Sequence, residues 1–232
     1  FVSNNGGFLP SKCIFEDERE TQDYQVRLKR EIIVLGGVRI ELQEPAMKAL
    51  LEAQKEAAAK GLQITPRGGS LAAKRSYQDT VRFWNSRFYP ALSYWVARKK
   101  ISRADAEAAK KMPIKEQVAK VLEWEDKGFY FSQDLRKSIL YSVAAPGASQ
   151  HIFMLALDVQ QFADRRVREI LAKHGWFQTV KSDLPHFTFL GVKESDLPML
   201  AMKSETIDGY KFWTPNLEEK KVFTGASQSL PE

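Results

Sequence analysis

Apolar and polar positions along the chain change period several times, and each change predicts an element. Two β-rich runs, 31–35 and 38–42, flank Gly36-Gly37, which predicts a hairpin. From Pro45 the period becomes helical. Ala46, Met47, Leu50, Leu51 and Ala57 form one stripe, and Gly61 stands at the expected stop. Residues 62–65 predict a short strand, ended by Pro66-Arg67-Gly68-Gly69-Ser70. From 71 to 99, Val81, Trp84, Phe88, Leu92 and Trp95 recur at spacings of three and four, the mark of a buried helix face. Pro90 inside that stretch predicts a kink or break.

The second half follows the same logic. Ser102 caps a predicted helix over 103–111, and Pro113 opens another over 114–126. This Lys- and Glu-rich pair predicts a peripheral shield on one side of the core. Residues 133–143 carry a mixed signal, helix and then strand. The continuous apolar run 152–159 predicts a buried strand. Residues 160–173 predict a helix with Phe162, Val167, Ile170 and Leu171 inward and Gly175 as its stop. The runs 176–180 and 186–190 are β-rich and are joined by Lys181-Ser182-Asp183-Leu184-Pro185. Beyond Val192 the signal weakens, leaving Trp213-Thr214-Pro215 as a last docking element.

Helices and strands thus fall in separate blocks rather than in regular βαβ alternation. The fold class expected is α+β, a mainly antiparallel central sheet flanked by helices. Residues 1–24 are expected to be a loosely ordered lead-in, 25–215 a single domain with a helical insertion around 100–128, and 216–232 a tail.

Composition narrows the class. A chain of 232 residues with 44% hydrophobic and 28% charged residues supports one sizeable core. No apolar run approaches a membrane span. A single cysteine, Cys13, excludes an internal disulfide. The chain starts at Phe1 without a signal-peptide pattern, which says nothing about export. A net charge of +6 is compatible with an anionic partner. No basic run is interleaved with aromatics, so a specific nucleic-acid partner is not expected. Lys48, Glu52, Lys55, Glu56 and Lys60 instead describe a solvated helix face.

The chemistry concentrates in Ser149-Gln150-His151-Ile152-Phe153-Met154-Leu155-Ala156-Leu157-Asp158 and Asp183-Leu184-Pro185-His186. These hold two of the three histidines, each embedded in apolar sequence. A polar side chain in such surroundings needs a partner. Two histidines and an aspartate complete the ligand set of a catalytic zinc and leave one position open. Asp183 is then free to act as a base. The bland alternative is a pair of ordinary, partly buried histidines and a turn aspartate. The third histidine, His174, follows a predicted helix and suits its C-terminus.

The frame Ser-x-His-x-x-x-x-Ala-x-Asp followed by acid-x-x-His-Phe resembles the VanY-type D-alanyl-D-alanine carboxypeptidases, zinc peptidases that trim peptidoglycan stem peptides. The resemblance implies His151, Asp158 and His186 as ligands of one Zn2+, Asp183 as general base and a zinc DD-peptidase (hedgehog/DD-peptidase-like) fold. The family has Gly at the place of Met154, Glu at Asp183 and Trp at Pro185. Its Tyr-Arg-Ser-Tyr-x-x-Gln segment matches Arg75-Ser76-Tyr77 by letters, whereas Arg67 matches by position just past a strand. Either arginine would clamp the substrate's terminal carboxylate. Ser149 is implied to support a ligand or shape the cleft. The function implied is a zinc-dependent D-alanyl-D-alanine carboxypeptidase acting on peptidoglycan stem peptides. Its implied place is exported, periplasmic or cell-wall associated. The alternative is a metal-stabilised module that binds cell-wall peptides without cutting them.

Overall fold

The structure, a computed structural model, describes residues 7–217. The segment expected as a lead-in carries a helix, α1 (Glu18–Gln25), because Asp17 caps it by accepting from Glu20 N. Its inward residues Thr21, Tyr24 and Gln25 are buried. The hairpin forms as β1 (Arg30–Leu35) and β2 (Val38–Gln43). Gly36 and Gly37 both take positive φ, 56° and 78°, the requirement of a type I′ turn. Then α2 (Glu44–Ala59) begins with Pro in its first turn.

The segment 62–66 differs from the predicted strand. It touches the sheet through one bridge, Pro66 to Val159. Proline lacks the N–H that would extend a ladder, so pairing stops there. The long helix is shorter at its start: α3 spans Tyr77–Ala97 behind a capping box of Ser76 and Asp79. It runs unbroken through Pro90, where solvent can satisfy the freed carbonyl, since Ser86 and Pro90 are exposed. The helices α4 (Arg103–Lys111) and α5 (Ile114–Asp126) match their predicted spans. They do more than shield. With α3 they enclose a core of their own that includes Trp84, Phe88, Val121, Trp124 and Phe131. The Glu125 carboxylate accepts from the backbone N–H of Phe131 and Ile139 and ties the following loop to it.

The run 152–159 is split. Residues Gln150–Phe153 form a 3₁₀ turn, Met154 sits in the left-handed region with φ 57°, and only Ala156–Asp158 is strand, β3. The next helix, α6 (Arg165–Lys173), starts late because Asp164 caps it. Residues ahead of it are otherwise engaged: Gln161 bonds both the backbone and hydroxyl of Thr65. Then come β4 (Trp176–Phe177) and β5 (His186–Phe189). A second hairpin follows, β6 (Met202–Ile207) and β7 (Tyr210–Pro215).

The fold is α+β with small antiparallel sheets. Among the described residues the strands form three of them, β1-β2, β3-β5-β4 and β6-β7, in place of one central sheet. The main core joins the first hairpin, α2, α6 and the β3-β5-β4 sheet, with Trp176, Leu157 and Phe187 at its centre. Trp213, predicted as a docking residue, is buried with Phe177, Leu190 and Leu197. No helix among the described residues is long and apolar enough to cross a membrane.

Candidate metal centre

Antiparallel pairing brings the chemistry together. In the β3–β5 register, Asp158 faces His186 directly. The flanking backbone bonds, Val159 N to Pro185 O and Phe189 N to Leu155 O, make Asp158–His186 a non-hydrogen-bonded pair. Side chains of such pairs approach most closely. Ala156 and Thr188 form the adjacent pair on that face, and the small alanine leaves room over it.

The 3₁₀ turn supplies the third member. It carries His151 over the sheet, and the left-handed Met154 then turns the chain into β3. Glycine takes that conformation freely, whereas a residue with a Cβ is strained there. This is the position where the VanY-type frame has glycine.

His151 Nε2, His186 Nδ1 and Asp158 Oδ1 converge. The separations are 3.1 Å between the histidines, 3.3 Å from His151 to Asp158 and 3.2 Å from His186 to Asp158. Both histidines are buried and their rings meet edge to face. Three lone-pair atoms this close repel one another unless a proton or a cation lies among them. Ligands about 2.0–2.1 Å from a tetrahedral ion stand about 3.3 Å apart, so the spacing fits such an ion. This is a group that could hold a metal, and its donor set, two imidazoles and a carboxylate, suits zinc.

Neighbouring charges set the protonation states. Burial lowers the His151 pKa to about 4, assisted by Arg75 and His186 and opposed by Asp158. His151 is therefore neutral at pH 7. Burial alone would raise Asp158, but His151 and His186 outweigh it and hold the carboxyl well below the usual range. Arg75 Nη2 donates to Asp158 Oδ2 at 2.9 Å, which leaves Oδ1 to face the histidines. Arg75 Nε donates to Leu71 O at 3.1 Å, so the guanidinium is fixed on two sides.

Asp183 lies in the loop before β5, where its backbone carbonyl accepts from His186 N at 3.1 Å. It is open to solvent at its surface, yet partial desolvation and then Asp158 raise its carboxyl, partly offset by His186, Arg75 and Arg67. Arg67 is exposed and its backbone N–H donates to Asp158 O at 2.8 Å. Its guanidinium rests over the Phe162 ring and has no carboxylate partner among the described residues. Ser149 is buried and precedes the 3₁₀ turn without capping it through its side chain. His174 caps the end of α6 and also pairs with Glu56 at 3.0 Å.

Sequence reasoning missed the residues that hold this arrangement. Gln25 Nε2 donates to the carbonyls of both Arg75 and Ile152 at 2.9 Å. Gln43 Nε2 donates to Phe153 O at 2.7 Å. Gln150 Oε1 lies 2.7 Å from His186 Nε2, and Thr188 also donates to it. The last two were findable: Gln150 adjoins His151, and Thr188 shares a strand face with His186.

No family model matches the chain, and no curated protein matches it. Among solved structures, the chain is similar to a mutant of the vancomycin resistance D,D-pentapeptidase VanY from a VanB-type resistance cassette, in complex with Zn(II). The identity is 16%, the match covers 72% of this chain and 82% of that one, and the TM-score is 0.37.

Proposed function

We propose that this protein is a zinc-dependent D-alanyl-D-alanine carboxypeptidase that shortens peptidoglycan stem peptides, with the fold of the zinc DD-peptidases. One observation carries the reading: His151, Asp158 and His186, spaced as in the VanY-type frame, bring one ligand atom each to within 3.3 Å of one another. Zinc there would polarise the scissile carbonyl and make a water nucleophilic near neutral pH.

The chain's own groups do the rest. Asp183 takes a proton from the attacking water on its carboxylate and returns it to the leaving amine. Its raised pKa makes it a better acceptor than an ordinary aspartate. Arg67 clamps the substrate's terminal carboxylate, because its fork pairs with no carboxylate among the described residues while that of Arg75 is committed to Asp158. Arg75 orients the ligand carboxylate. Ser149 shapes the wall next to the turn. Such an enzyme works on an exported substrate, so the protein belongs in the periplasm or at the cell wall.

The test is Asp183→Ala in zinc-loaded protein, assayed on a peptide ending in D-Ala-D-Ala. Loss of a general base should lower turnover about 10²- to 10⁴-fold with zinc content unchanged. Unchanged turnover removes Asp183 from the mechanism. A zinc-loaded wild type that binds such peptides and hydrolyses none selects the binding-module reading.

A further inference from the structure

Gln150 precedes His151 in sequence, but its side chain meets His186, at the ring nitrogen that His151 does not face. Its side-chain oxygen faces His186 Nε2 at 2.7 Å and also accepts from the Thr188 hydroxyl. Thr188 in turn lies 2.6 Å from the Thr179 hydroxyl. A carbonyl oxygen can only accept. His186 Nε2 must then carry a hydrogen, and in the neutral ring Nδ1 must be bare. Thr188 gives its own hydrogen to Gln150, so Thr179 donates to Thr188. Every hydrogen in the row is assigned: Thr179 donates to Thr188, and both Thr188 and His186 donate to the Gln150 oxygen, where the row ends.

We propose that Gln150, supported by Thr188 and Thr179, is a positioning residue that fixes the tautomer and ring orientation of His186 and so presents Nδ1 to the metal. The inference rests on the metal-centre reading above. His151 has no such support, since its Nδ1 is buried without a partner among the described residues. The two histidines are therefore not equivalent. His186 is set in advance, whereas His151 must hold a hydrogen on an unpaired buried nitrogen whenever its Nε2 acts as ligand. Without metal, His151 Nε2 can instead donate to His186 Nδ1 at 3.1 Å, and the bare Nδ1 of His186 accepts it.

Residues that orient a ligand histidine typically change metal affinity about 10- to 100-fold when removed. The experiment uses the full chain and two readouts. The first is nitrogen chemical shifts of His186 in metal-free protein at pH 8. The second is Zn(II) affinity by competition with a chromophoric chelator, for wild type, Gln150→Ala, Gln150→Glu and Thr188→Val. We expect a single His186 tautomer with hydrogen on Nε2 in the wild type, and a mixture in Gln150→Ala. Zinc affinity should fall about 10- to 100-fold in Gln150→Ala, less in Thr188→Val, and recover in Gln150→Glu, which keeps an acceptor. A wild-type His186 with hydrogen on Nδ1 alone overturns the proposal. So does a Gln150→Ala protein with wild-type tautomer and wild-type affinity. If the wild type takes up no zinc, the function proposed above fails, and the nitrogen shifts still decide the role of Gln150.

Discussion

The metal-free protein should be acid-sensitive in a defined window, and His151 is the reason. Its pKa is lowered from an ordinary 6.5 to about 4, first by burial, then by Arg75 and His186. Between those values the unfolded chain binds the proton and the folded chain does not. Stability then rises with pH, so it is fully present above about 6.5 and declines as pH falls toward about 4. The difference of some 2.5 units, at about 1.4 kcal/mol per unit, is roughly 3 kcal/mol. That is a large share of the roughly 5–15 kcal/mol that holds a typical domain together. Asp158 acts in a lower window. Its folded pKa is depressed, so its contribution is present above the ordinary aspartate range and lost below it. The assay is urea unfolding of chelator-treated protein at several pH values from 7.5 to 4, for wild type and His151→Leu. The wild type should lose about 3 kcal/mol more than the variant across that range. Equal slopes for the two proteins would refute the assignment of a buried neutral histidine.

Two further substitutions separate the scaffold from the chemistry. Gln25→Ala leaves the buried carbonyls of Arg75 and Ile152 without their donor, which should cost roughly 2 kcal/mol, or about 4–8 °C in Tm. A shift below 1 °C by differential scanning fluorimetry would mean that α1 does not brace the centre. Met154→Gly relieves a left-handed conformation worth about 1–2 kcal/mol but removes a fully buried side chain worth about 2–5 kcal/mol. Burial wins, so the variant should be less stable by roughly 1–3 kcal/mol in denaturant unfolding, and a more stable variant would show that strain dominates.

What the sequence made legible follows from the range of the interactions. The first hairpin, α2, α4 and α5 were readable because their signals are local: Gly36-Gly37, Pro45, Ser102 and Pro113 act on their own neighbours. The second hairpin was not read, although Asp208-Gly209 supplies a two-residue turn with both φ values positive, 51° and 79°. β6 is mostly polar, and β7 buries the adjacent Phe212 and Trp213, so no alternation marked them. The strand predicted over 152–159 failed in its first half, where Ile152 and Phe153 belong to a 3₁₀ turn and Met154 is left-handed. Its composition is strand-like throughout, but Gln25 and Gln43 hold the carbonyls of Ile152 and Phe153 from 127 and 110 positions away in sequence. A local pattern carries no trace of such a partner.

The same turn shows why the centre was easier to find than the scaffold around it. Its residues break local rules: a methionine with positive φ, a histidine nitrogen buried without a partner among the described residues, and a carboxylate against two imidazoles. Each is unfavourable alone, and such breaches persist where the surrounding structure fixes them and a site needs them. Here the surroundings do fix them, through Gln25 and Gln43 on the turn, Arg75 on Asp158 and Gln150 on His186. An apolar run interrupted by His151 and Asp158 is the sequence-level trace of that conflict. The residues that resolve it are neutral amides and hydroxyls, common everywhere in the chain, and only the fold distinguishes Gln150 from any other glutamine.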